Sequence, residues 1–198
     1  TPIEEKLRAV SSLVDQGKIL YYGVSEEWGG ARIEKAQAII EKYGLHPLTV
    51  IQPQYNMMDR YIEHELMDIC EKNGIGITPF SPLAQGLLTG KYKKGQPYPE
   101  GSRATHQADK QVNALLTDEN LDKVEALSAI AAELGTNMSV LALAWILRKD
   151  CISSVITGAT KPSQLENNLA AAGFKIPANA LKEIEKILGF KPFSRHVG

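Results

Sequence analysis

The feature that most constrains this chain is an alternation of short apolar runs with longer amphipathic ones. A helical pattern at 3–17, "IEEKLRAVSSLVDQG", ends on Gly17 and gives way to the strand-like "KILYYGVS" at 18–25. Helix "ARIEKAQAIIEKYG" at 31–44 precedes strand "LTVIQPQYN" at 48–56, and helix "IEHELMDICEKNG" at 62–74 precedes strand "IGITPF" at 75–80. A loop rich in Gly, Pro and Lys follows. Helices "TDENLDKVEALSAIAAELG" at 117–135 and "SVLALAWILRKD" at 139–150 lead into strand "ISSVITGA" at 152–159. Helices "KPSQLENNLAAAG" at 161–173 and "NALKEIEKILG" at 179–189 come last. Short apolar strands bounded by helices predict parallel pairing with both faces covered. Regular β/α alternation predicts an α/β fold.

Two α/β architectures fit that alternation, a doubly wound sheet and a closed barrel. The strand ends favour the barrel. Ser25, Gln52, Tyr55, Asn56, Phe80, Ser81, Gly158 and Thr160 all fall at or just past strand C-termini. A (β/α)8 barrel builds its active site from loops at that end of its strands. The Gly-x-Gly-x-x-Gly turn of a dinucleotide-binding doubly wound sheet is absent. A complete barrel takes ~250 residues and eight strands. This chain has 198 residues and four strand patterns. The expectation is a (β/α)8 TIM barrel of which 1–198 carries the last four βα units plus a C-terminal helix. The first four units then lie outside this sequence, or two chains complete one another.

Bulk properties narrow the function classes. The formal charge is −1, which removes the electrostatic reason to expect nucleic acid or an anionic membrane as partner. No apolar run approaches the ~20 residues of a membrane span. The start, "TPIEEKLRAV", lacks a basic end followed by an apolar stretch and reads as a helix entry, with Thr1 placed to cap and Pro2 at the first helical position. The two cysteines, Cys70 and Cys151, stand in apolar or helical settings. They read as free buried thiols in a reducing, cytoplasmic compartment.

The stretch "ITPFSPLAQGLLTGKY" at 77–92 concentrates unusual residues at the end of a strand. Pro82 fixes its φ and stiffens the turn. Gly86 and Gly90 permit close backbone approach. Backbone N–H groups in such a turn form a nest for an anion. Lys91 and Arg103 bracket "KKGQPYPEG" with cations suited to phosphate, while Lys93 and Lys94 read as solvated surface charge. Gly158, Thr160 and Lys161 precede a helix whose N-terminus favours anions. Gln164 and Asn168 lie one turn apart on that helix.

"GKILYYGVSEEW", "VIQPQYNMMDR", "GITPFSPLAQGLLTGKY", "GSRA" and "GATKPSQLENNLAA" together resemble the C-terminal half of an aldo-keto reductase. The similar branch holds the voltage-gated potassium channel β subunits and their bacterial relatives. The resemblance implies a (β/α)8 barrel, NADPH bound extended across its mouth, and hydride transfer to an aldehyde or ketone, a small carbonyl substrate. It implies that Phe80 stacks on the nicotinamide, with a core Phe as the other reading. It places Ser81, Pro82, Leu83, Gln85 and Gly86 in the cofactor loop, and Lys91 and Arg103 on the cofactor phosphates. Gly158, Thr160 and Lys161 then meet the 2′-phosphate, and Gln164, Asn167 and Asn168 the adenine side. Many relatives carry Glu-Asn where this chain has Asn167-Asn168. Ser25 and Gln52 hold the carboxamide; Glu26 replaces the family's Asn and is left out, because a carboxylate accepts but does not donate. Tyr55, Asn56 and Trp28 stand toward the substrate, with packing as the alternative for each.

The family's Asp-Tyr-Lys-His tetrad lies in the first half of the barrel. No residue here is assigned as catalytic, and His46, His64, His106 and His196 do not sit at the matching place. No metal ligand set is expected. Three functions remain: an NADPH-dependent reductase half, a cofactor-binding regulatory subunit like the channel β subunits, and a truncated half-barrel pairing with its own copy. A homo-oligomer is compatible with each.

Overall fold

The computed structural model describes residues 1–105 and 110–191. His106, His196 and 192–198 of the tail, where part of a substrate loop was expected, lie outside those residues. Three strands form one parallel sheet: β1 (Gly23–Ser25), β2 (Val50–Gln52) and β3 (Gly76–Ile77), in the order β1-β2-β3. Helices α1 (Ile3–Asp15), α2 (Gly30–Tyr43) and α3 (Leu66–Lys72) precede and connect them. After β3 come α4 (Lys110–Leu115), α5 (Asp118–Glu133), α6 (Met138–Leu147), α7 (Pro162–Leu169) and α8 (Ala178–Leu188).

The fourth expected strand is an extended segment joined to β3 by a bridge, Ile77 with Ile152. Ser153 N–H donates to Ile77 O at 3.0 Å, and Ile156 N–H to Pro79 O at 3.0 Å. The pairing order therefore runs 1-2-3-4 along the chain without reversal. A doubly wound sheet reverses its order at a switch point, whereas a barrel adds each strand beside the last. The strands are shorter than their apolar runs, because regular ladders need partners. Residues 18–22 precede β1 at an edge, and there Leu20 and Tyr21 are 77% and 75% exposed. Helix α4 was not anticipated; its segment reads as loop.

Local chemistry sets the helix ends. Gly44 takes φ 59° after α2, a left-handed C-cap that a side chain disfavours. Thr117 and Asn137 cap α5 and α6 by accepting from Asn120 N–H and Val140 N–H. At the first helix the structure corrects the sequence reading: Pro2 is the N-cap, and no side-chain cap bond forms. Helix α6, "MSVLALAWIL", is apolar on every face and is enclosed by the core, with Trp145 fully buried. No single described helix is long and apolar enough to cross a membrane.

Beside Trp145 the core holds a buried ionic cluster. Arg60 donates to Glu63 at 2.7 Å and to Glu185 at 2.6 Å. Its guanidinium lies 4.8 Å from the Trp145 ring and 4.3 Å from Phe190. Arg148 covers Trp145 at 3.7 Å and pairs with Glu63 at 3.6 Å and Glu185 at 3.5 Å. Trp145 Nε1 donates to Glu185 at 3.1 Å. Two cations and two carboxylates balance, tying the turn after β2 to α6 and α8.

Cys70 is buried and Cys151 half-buried. Burial first, and then the neighbouring Cys151 thiol, pushes the Cys70 thiol up to about 12. The thiolate is the reactive form. Cys70 is therefore expected to resist a disulfide-exchange reagent at pH 7.5 in the folded protein and to react promptly in urea; rapid stoichiometric labelling of native Cys70 would contradict this burial.

Candidate functional site

Because the strands are parallel, their C-terminal ends open on one edge of the sheet. Ser25 and Gln52, the last residues of β1 and β2, pair directly across the ladder, and both are exposed. Gln54 bridges Phe80 one step further on, with Phe80 N–H donating to Pro53 O at 3.0 Å. The fold thus draws Ser25, Gln52 and the half-buried Phe80 to one rim. Glu26 follows Ser25, and one of its carboxylate oxygens is enclosed without a hydrogen-bond partner.

The loop after Phe80 has an unusual backbone. Ser81, Ala84 and Gln85 take φ of 52°, 47° and 57°, and Gly86 takes 100°. Three non-glycine residues in the left-handed region within five positions cost conformational energy, and they persist only where the surroundings over-determine them. Ser81 Oγ accepts from Gln85 Nε2 at 2.9 Å, and Gln85 Oε1 accepts from Arg103. A Cβ at Gly86 would stand 3.2 Å from both Cε and Nζ of Lys91. The missing side chain is what lets the lysine lie across this backbone. Pro82 is buried, and Leu83 packs on both apolar clusters, so they anchor the loop from below. The result is a cradle of turned peptide groups with one cation on each flank.

Lys94, expected as a free surface charge, pairs with Asp122 at 2.8 Å and with Asp118 at 3.6 Å, which fastens the Lys91–Arg103 loop to the first turns of α5. A charge flanked by glycine and proline gives no sign of such a partner in sequence.

A second group gathers at α7. Lys161 is its N-cap, exposed and without a side-chain cap bond, three residues after Gly158. Gln164 Oε1 accepts from Thr160 N–H at 2.7 Å and from the Thr160 hydroxyl at 3.2 Å. Asn167 accepts from Asn137 Nδ2 at 2.6 Å, and Asn168 is half-buried one turn beyond Gln164. Asn137 was missed as a contributor; its cap position before an apolar run was the available signal.

The profile of the family described as "Aldo/keto reductase family" matches residues 1–189. The chain belongs to that family. This aldo/keto reductase chain is 41% identical over 197 residues to a "Putative voltage-gated potassium channel subunit beta" of Schizosaccharomyces pombe, covering 96% of this chain and 56% of the relative. It is 40% identical over 196 residues to a "Probable voltage-gated potassium channel subunit beta" of Arabidopsis thaliana, covering 97% and 59%. It is 38% identical over 176 residues to the "L-glyceraldehyde 3-phosphate reductase" of Escherichia coli (strain K12), covering 86% and 49%. The chain thus spans roughly half to three-fifths of the curated relatives it matches.

The aldo/keto reductase fold revises two positions. Tyr55 and Asn56 were expected toward the substrate, yet both are buried. The Tyr55 ring lies 5.4 Å from Trp145, and its hydroxyl donates to Glu63. Burial raises its pKa well above the ordinary phenol value. Asn56 spends both ends of its amide on backbone groups: Oδ1 accepts from Met58 N–H at 2.9 Å and Asp59 N–H at 3.0 Å, and Nδ2 donates to Ser81 O at 3.0 Å. Strand alternation did not reveal this, because β2 ends at Gln52 and the following turn redirects both side chains inward. Trp28 is half-buried, 5.5 Å below the Arg32 guanidinium.

Proposed function

We propose that this chain is the C-terminal, cofactor-binding half of an NADPH-dependent aldo-keto reductase barrel acting on a small carbonyl compound in the cytoplasm. The observation that carries the reading is the Ser81–Gly86 loop, with left-handed Ser81, Ala84, Gln85 and Gly86, flanked by Lys91 and Arg103 at the open ends of parallel strands. A pyrophosphate takes flanking cations and turned N–H groups, and this loop supplies the cations. Its turned backbone spends the Ala84 and Gly86 N–H groups internally, on Ser81 O and Leu83 O, which leaves its other N–H groups for an anion. The enclosed, unpartnered oxygen of Glu26 also fits an amide donor such as the nicotinamide carboxamide.

In this reading Phe80 presents a ring face to the nicotinamide, while Ser25 and Gln52 orient its carboxamide. The Ser81–Gly86 loop cradles the pyrophosphate between Lys91 and Arg103. Lys161, with Gly158 and Thr160, faces the 2′-phosphate; Gln164, Asn167 and Asn168 line the adenine side. The bound cofactor supplies a hydride for a carbonyl carbon. The tetrad that protonates the carbonyl oxygen belongs to the N-terminal half, so the isolated 1–198 chain is expected to bind without turnover.

The seams support that division. Apolar side chains lie open at both ends of the strand order: Leu20 and Tyr21 before β1 are 77% and 75% exposed, and Leu165 and Leu169 on α7 are 51% and 64% exposed, which suits cover by the other half of a barrel. Two relatives named as channel β subunits favour a second reading, a regulatory subunit with the same cofactor site.

The test is titration with NADPH, followed by quenching of the two tryptophans and energy transfer to the reduced nicotinamide. Saturable binding is expected; none at millimolar cofactor overturns the reading. Lys161→Glu is expected to narrow the NADPH-over-NADH preference about tenfold, one charge-assisted contact. Equal loss for both cofactors overturns the 2′-phosphate assignment. In the full-length protein, NADPH oxidation by aldehydes separates the reductase from a subunit that co-purifies with a membrane channel and shows no turnover.

A further inference from the structure

We infer that Asn56, enclosed in the turn after β2, is a positioning residue that keeps the anion cradle preformed. This inference rests on the reading above for the identity of the ligand, but its geometry does not. Asn56 sits in the buried turn after β2, with its own backbone paired to Asp59, N–H to O at 3.0 Å and the reverse at 3.1 Å. Its Oδ1 is fixed by two backbone N–H groups of that turn. The amide therefore has one orientation, and Nδ2 points across to the next strand end, where it donates to Ser81 O at 3.0 Å. Ala84 N–H shares that acceptor at 3.0 Å, so Asn56 is the tie from outside the loop.

Ser81 is the first of the left-handed residues, at φ 52°. An L side chain occupies that region at a cost, so an unheld Ser81 would relax toward negative φ and swing the following peptides away. From Ser81 the restraint passes outward: Gln85 Nε2 donates to Ser81 Oγ at 2.9 Å, and Arg103 donates to Gln85 Oε1. Asn56, Ser81, Gln85 and Arg103 thus form one relay from a buried turn to a surface cation. The hydrogen bond Asn56 makes is to a carbonyl, so it restrains the loop without competing for the N–H groups that an anion would use. The adjacent Tyr55 N–H to Phe80 O contact, at 3.4 Å, is long. Beside the Phe80 N–H to Pro53 O bond at 3.0 Å, the Asn56 amide is the side-chain tie that reaches past Phe80 to Ser81.

The experiment uses Asn56→Ala and Asn56→Asp; at neutral pH the second keeps an acceptor for the turn but turns a charged carboxylate oxygen toward the Ser81 carbonyl in place of the donor. Hydrogen exchange is measured over 81–86 and over the β1–β2 core, and NADPH and inorganic pyrophosphate affinities are measured on the same preparations. For both variants we expect amide exchange over 81–86 to accelerate about tenfold with the core unchanged, and affinity for both probes to fall about tenfold. A uniform acceleration across the chain with unchanged affinity would mean that Asn56 merely stabilises the fold, and would overturn the inference. Unchanged exchange over 81–86 would overturn it equally. If Asn56→Ala does not fold, Gln85→Leu tests the next link, because it loses both the donor to Ser81 Oγ and the acceptor for Arg103. The same local pattern is expected, and unchanged exchange there overturns the relay. Should the unsubstituted chain bind neither probe, the cofactor reading fails, while the exchange over 81–86 still decides the role of Asn56.

Discussion

Arg60→Met is expected to destabilise the protein by about 3 kcal/mol, lowering its melting temperature by about 6–12 °C. The methionine fills similar volume, so the effect reports the ionic cluster and not a cavity. Arg60 lies 5% exposed against two rings and bonds Glu63 and Glu185. Its removal leaves Glu63 enclosed with Tyr55 and a more distant Arg148. Removing one partner of a buried pair typically costs about 3–5 kcal/mol. Glu185 is 40% exposed and keeps Trp145 as donor, which places the expectation at the lower end. The effect also depends on pH. Burial alone would raise the Glu63 carboxyl, but the hydrogen bonds from Arg60 and Tyr55 and the charges of Arg60 and Arg148 hold it below 4.5. A carboxyl depressed on folding contributes stability that is present above its unfolded pKa and lost as pH falls through the folded value. The gap between the two proteins should be full at pH 7 and close progressively below about pH 4.5. Urea melts at pH 7 and pH 3.5 measure it. Equal stability at pH 7 would mean that the cluster contributes nothing net.

Lys91→Ala combined with Arg103→Ala is expected to weaken NADPH binding about 100-fold or more. Each cation offers phosphate a charge-assisted hydrogen bond, a contact of about 1.5–3 kcal/mol. Both side chains are exposed, so stability should change by less than about 0.5 kcal/mol. Lys93→Ala serves as the comparison: a lysine two residues away, exposed, and outside the cradle. It should leave affinity unchanged. Affinity of the double variant should also depend less on salt, because two ionic contacts are gone. Isothermal titration at low and high salt reads both effects. A loss under about threefold would remove the phosphates from this loop.

The α/β class, the parallel pairing and the helices were legible because they rest on local periodicity. The spacing of Leu121, Val124, Leu127 and Ala131 writes one buried face of α5 into the sequence, and the structure buries all four. The special character of the Ser81–Gly86 loop was legible too, through its proline and glycines. Strand lengths were not. Residues 18–22 are as apolar as the rest of their run, but Tyr22 alone among them bonds across, accepting from Thr49 N–H at 3.1 Å, and the regular strand begins only at Gly23.

The site was half readable for a related reason. Residue type announces a cation or an aromatic ring, but not what it touches. Lys94 looked like a solvated charge and is an anchor; Asn56 looked like a substrate contact and holds a backbone carbonyl. Arg60 and Glu63 are three positions apart, but Arg148 and Glu185 lie up to 125 positions away and no spacing couples them to that pair.

The sequence by itself determined the family, the alternation of strands and helices, and an unusual loop beyond the third strand, since each depends on short-range pattern. Only the tertiary structure decided which polar groups are buried, which carbonyl the Asn56 amide holds, and that three left-handed residues form one cradle. Those outcomes depend on contacts between segments distant in the chain, where burial strengthens each hydrogen bond and makes any unpaired polar group costly.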